Sequence, residues 1–163
     1  MSISRAICAG LEERGPFQGG PLELVASQGV LEVRCRFSAA EKLGCALERV
    51  QVSSAAPARL ASTELAARAG AWCDRIKYLS EPLRVVEIDA AAGAALMRSD
   101  APRRRGSLLG YYELLADADG RADLRRYVYD RAINRRDVSP FVVTPEQLER
   151  LLDDLVAVAG EEP

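Results

Sequence analysis

Three consecutive arginines, Arg103, Arg104 and Arg105 in APRRRGS, and three more in RRYVYDR at 125–131 hold the most concentrated chemistry of this chain. A guanidinium offers paired N–H donors that fit a carboxylate or a phosphate. Interleaved tyrosines add cation–π contacts and apolar area. Residues 98–136 carry ten arginines against six carboxylates, a formal +4, in a chain of net charge −2. That asymmetry points to an anionic group as what the region would recognise. The candidate binding residues are Arg103, Arg104, Arg105, Tyr112, Arg125, Tyr127, Tyr129 and Arg131.

Plainer readings stand beside this one. Only Lys42 and Lys77 are lysine among 22 basic residues, as the coding bias of a GC-rich, bacterial type of genome would produce. APRRRGS then reads as a solvated polar crossing, and RRYVYDR as a strand whose polar face is written in arginine. The net charge also runs against the basic footprint of a nucleic-acid binder.

Most other chemistry lacks its parts. Histidine is absent, and Cys8, Cys35, Cys45 and Cys73 form no CxxC pair. Zinc fingers, redox dithiols and Ser-His-Asp or Cys-His catalysis are therefore excluded. There is no GxGxxG, P-loop or GxSxG. DADGRAD at 117–123 carries part of a calcium-loop spacing, yet it lacks a third early ligand and a glutamate at the twelfth position. A bare hairpin accounts for it. Glu87, Asp89 and Glu113 fall on expected strands, but their spacing singles out no acid–base pair, and Asp153-Asp154 reads as an exposed helix face. No cofactor or metal is expected.

The elements that must position these residues follow from periodicity. Ile3, Ile7 and Leu11 recur every four residues ahead of Gly15-Pro16, which predicts a helix over 3–14. Leu31, Val33, Cys35 and Phe37 alternate with Glu32, Arg34 and Arg36, a half-buried strand joined to LELVAS through a turn at Gln28-Gly29. SAAE at 38–41 fits a helix cap, but CALERVQVSS favours a third strand, with Ala46, Glu48, Val50 and Val52 on one face. Leu65, Ala69, Trp72, Ile76 and Leu79 make one stripe of a helix over 57–80, with Pro57 at its start and Trp72 as its anchor. LRVVEID, AALMRSD, GYYELLADADGRADLRRYVYD and VSPFVV read as further strands. Thr144-Pro145-Glu146-Gln147 opens a last helix that Gly160 closes.

Asp119-Gly120 between two apolar runs is a hairpin signal. A two-residue turn there sets Glu113 opposite Arg126, Tyr111 opposite Val128, Leu115 opposite Leu124 and Tyr112 opposite Tyr127. Tyr111, Leu115, Leu124 and Val128 then cover a helix. Tyr112, Arg125, Tyr127, Tyr129 and Arg131 form the other face.

The order α-βββ-α-βββββ-α predicts one α+β domain over 1–163, an antiparallel sheet of about seven to eight strands with two or three helices packed on one side. In size, acidity and the order of its first five elements the chain resembles the small acidic secretion chaperones, which dimerise and hold an extended partner segment. The N-terminus lacks the apolar core of a signal peptide, and no apolar run approaches the ~18 residues of a membrane span. The expected setting is the cytoplasm, with reduced thiols. The leading functional reading is a non-catalytic protein-binding module, adaptor- or chaperone-like, with homodimerisation also open. The alternatives are a small anionic-ligand binder or enzyme using the arginines of 98–136, and, disfavoured by charge, nucleic-acid binding through the same region.

Overall fold

The computed structural model of the protein describes residues 1–56, 59–100 and 102–161. Helix α1 (Ile3–Arg14) has the predicted bounds, with Ser2 accepting at its N-terminus from Arg5 N. Three long antiparallel strands follow, β1 (Leu22–Gln28), β2 (Leu31–Glu41) and β3 (Gly44–Ser54). The β1–β2 turn sits at Gly29-Val30, one residue later than the sequence suggests, because Gln28 pairs with Leu31 and the left-handed residue is Gly29 (φ 61°). Ser38–Glu41 continues β2 and caps no helix.

Strand β3 departs from simple alternation. Cys45, Leu47, Val50 and Val52 are buried, so two residues, Glu48 and Arg49, separate the middle pair. A bulge against Arg36 and Phe37 takes up the extra residue. Ala46 and Glu48 therefore do not share a face with Val50 and Val52.

Helix α2 (Ser62–Arg75) is shorter than the 57–80 read from the sequence, and Pro57 lies outside the described residues. Leu65, Ala69, Trp72 and the terminal Ile76 of its expected stripe are buried, whereas Leu79 lies past the helix and is only partly buried. Past Ile76 the chain straightens to enter β4 (Leu83–Asp89), and Pro82 bars the preceding residue from a helix. Strands β5 (Ala94–Ser99), β6 (Arg103–Arg105), β7 (Leu108–Asp117), β8 (Arg121–Asp130), β9 (Arg135–Val138) and β10 (Phe141–Val143) complete one antiparallel sheet of ten strands. Helix α3 (Pro145–Ala159) begins as predicted: Thr144 Oγ1 accepts from Gln147 N at 3.2 Å, and Gln147 Oε1 accepts from Thr144 N at 3.0 Å.

The main strand order is β1-β2-β3-β8-β7-β5-β4. One face buries Val33, Cys35, Leu47, Val50, Leu124, Leu114 and Met97 under the helices, with α3 between α1 and α2. The fold is therefore α+β with a helical layer. Trp72 Nε1 donates to Leu155 O at 3.2 Å, and Ser4 Oγ donates to Asp153 Oδ1 at 2.5 Å, so polar bonds join the three helices. Asp154 likewise accepts from Tyr78 Oη at 2.8 Å. The Asp153-Asp154 pair thus serves helix packing as well as solvent. No described helix is long and apolar enough to cross a membrane.

At one end the sheet forks. The second edge of β3 pairs with β8 through Val50–Ser53 and with β10 through Cys45–Leu47. Strand β8 passes from β3 to β9 at the same level. Ser139-Pro140 sits in the fork, with Ser139 N donating to Arg126 O at 2.8 Å. Strands β6 and β9 flank the outer half of the β7–β8 hairpin and make a four-stranded wing.

Candidate functional site

The β7–β8 hairpin forms, but its register is one residue away from the expected one. Three residues, Ala118, Asp119 and Gly120, make the turn, with Gly120 left-handed (φ 88°). Asp117 Oδ1 accepts from Asp119 N and Arg121 N at 2.9 and 3.1 Å, which favours the longer loop. Glu113 consequently faces Arg125, Tyr112 faces Arg126 and Tyr111 faces Tyr127. A slip of one exchanges the faces of a whole strand. Tyr112 is thereby in the core and Leu115 is exposed.

The open sheet face is a lattice of ion pairs. Arg34 meets Glu23 and Glu32, and Arg36 meets Glu48. Asp123 takes Arg49 at 2.5 Å and Arg125 at 3.3 Å. Glu113, only 9% exposed, takes Arg98 at 2.8 Å and Arg136 at 3.3 Å. Tyr111 and Tyr127 pack with ring centroids 5.9 Å apart, and the Arg136 guanidinium stands 3.9 Å over Tyr127. Arg125 and Tyr127 therefore lie on one face as expected, with their polar and cationic partners already supplied.

Tyr129 Oη donates to Asn134 Oδ1 in the β8–β9 turn, and Arg131 is exposed, with Nη2 donating to Gly106 O at 3.0 Å. Arg103, Arg104 and Arg105 are fully on the surface. They form edge strand β6 and not a loop, because Gly106 (φ 61°) and Ser107 fold them back onto Leu108–Gly110. Among the described residues none of the three has a carboxylate within 4.0 Å, in contrast to Arg125, Arg98 and Arg136.

Tyr112 belongs to a different arrangement from its predicted companions. It is 4% exposed and meets Phe141 edge-on at 5.1 Å between centroids. Arg126 stands 5.4 Å over its ring and donates to Glu81 Oε1 at 3.3 Å. Glu81 is 6% exposed, and its Oε2 accepts from Ser80 Oγ at 2.8 Å. Sequence reasoning missed Glu81, Ser80, Arg98 and Arg136 as partners. The hairpin parity would have found Arg126; nothing local marks Glu81, which comes from 45 residues away.

Cys35 and Cys45 are buried, Cys8 and Cys73 half-buried, and all four are free thiols. Burial raises every one of their pKa values, to about 11 for Cys8, Cys45 and Cys73. They pack as small apolar groups and are poor nucleophiles. Compared with protein-family models, curated proteins and solved structures, the chain gives no match.

Proposed function

We propose that the protein is a non-catalytic binding module that holds an acidic, extended segment of another protein along strand β6. The observation that carries this is the contrast between the two groups of arginines. Those of the sheet face are held by Glu113, Asp123 and their neighbours, whereas Arg103–Arg105 present three charges with no carboxylate within 4.0 Å among the described residues.

The outer edge of β6 has no strand beside it among the described residues. An extended peptide can add there by main-chain hydrogen bonds while its side chains meet the arginines. Two copies of this edge would oppose six guanidinium groups, so self-pairing is disfavoured and an acidic partner is selected. A cytoplasmic setting belongs to the same reading and is supported by the four free thiols.

The test is fluorescence anisotropy with an N-acetylated, C-amidated peptide of alternating glutamate and valine. Binding should weaken several-fold from about 0.05 M to about 0.5 M salt. It should vanish in the R103E/R104E/R105E variant, and a lysine-valine peptide should not bind. Equal binding of both peptides, or by the triple variant, overturns the proposal. Arg125→Ala with Tyr127→Ala is the control expected to leave affinity unchanged.

A further inference from the structure

We propose that the cleft at the sheet fork is a second site, sharing Arg103 with the first and built for a small monocarboxylate. The cleft measures about 440 Å³ and lies on the helix side of the sheet, with Arg126, Arg103, Phe141 and Leu151 among the residues that line it. That volume falls within the range of small-molecule pockets.

The hydrogen bonds around Glu81 run in one direction. Ser80 has one proton and gives it to Glu81 Oε2, so Tyr112 Oη must be the donor in its 3.2 Å contact with Ser80 Oγ. Glu81 Oε1 is taken by Arg126 Nη2. Both oxygens of the buried acid are therefore engaged. The Arg126 guanidinium has five N–H donors and spends one on a side-chain acceptor among the described residues. Its side chain is 15% exposed and lines the cleft.

Gly110 explains how a guanidinium comes to rest there. A Cβ at this position would collide with the Arg126 guanidinium, whose carbon would lie only 3.0 Å from it. Arg103 pairs with Gly110 and projects on the same side of the sheet. The two arginines against Glu81 leave one positive charge facing a space that Ser80, Gln147 and Phe141 also line. A carboxylate matches the spare donors in charge and geometry.

The carboxylate could belong to a free acid or to a peptide C-terminus, and the probes separate the two. ¹H–¹⁵N NMR titrations would use 3-phenylpropionate, its amide, and a tripeptide ending in phenylalanine with a free or amidated terminus. 3-Phenylpropionate should bind at least about tenfold more tightly than its amide, with shifts confined to Ser80, Tyr112, Arg126 and Phe141. A site for free acids accepts only the first probe, and a terminus site accepts the tripeptide as well. Arg126→Gln should abolish binding. Because that change strands Glu81, Arg103→Ala on the surface is the second variant and should weaken binding several-fold without loss of fold. Arg104→Ala, whose side chain projects on the opposite sheet face, should leave acid affinity unchanged while weakening the capped acidic peptide, so the two proposals fail independently. Equal shifts from acid and amide, or an Arg103→Ala affinity equal to wild type, overturn this one.

Discussion

Glu113 is a carboxylate almost removed from water that two guanidinium groups reach, Arg98 from the adjacent β5 and Arg136 from β9 across β8. Both donate to its Oε2, and the shared acid holds the open face together. Replacing it by glutamine keeps the shape and removes the charge, leaving two half-exposed arginines that water can still solvate. The expected loss of stability is about 0.5–1.5 kcal/mol, read by urea denaturation. Gly110 makes the sharper case. Alanine there must displace the Arg126 guanidinium from its place between Glu81 and the cleft. Gly110→Ala should cost about 1–3 kcal/mol and should remove the acid-specific NMR shifts, whereas a glycine needed only for chain flexibility would leave those shifts intact.

Among the elements, the β7–β8 hairpin shows what could be read from the chain and what could not. Asp119-Gly120 marks the turn correctly, and apolar alternation marks both strands. The signal does not distinguish a two-residue from a three-residue loop, since Asp117 as a turn-capping acceptor is visible only once its backbone partners are placed. That single residue moves Tyr112 from the surface to the core and Tyr111 the other way. The capped helix α3 and the stripe of α2 are legible because their signals are local. The β3 bulge, the fork and strand β6 depend on which strands become neighbours, and the Glu81–Arg126 pair spans 45 residues. Mutation separates the two registers. Tyr112→Ala should cost about 3–5 kcal/mol, as for a large core aromatic, and Tyr111→Ala under about 1 kcal/mol. Denaturant midpoints in the opposite order would restore the two-residue turn.

Across the whole molecule, the helical layer and sheet enclose one core cluster that takes in Cys35 and Cys45, with Cys8 and Cys73 packed against it from α1 and α2. Thiols ordinarily lose their proton near pH 9.0, and burial raises all four, three of them to about 11. Tyr78 is raised too, first by burial and then by its hydrogen bond to Asp154. Each group binds its proton more tightly folded than unfolded. Their stabilising contribution is therefore complete below about pH 9, and it is lost as pH climbs from the unfolded value towards the folded one. Folding stability from urea titrations should be level in these groups up to pH 9 and fall between 9 and 11. Cys35→Ala, which removes the most buried thiol, should flatten part of that fall while lowering stability at pH 7 through the lost packing. Stability unchanged through pH 11 would mean that the thiols open to water in the native state. Rapid alkylation of all four at pH 8, without unfolding, would report the same opening.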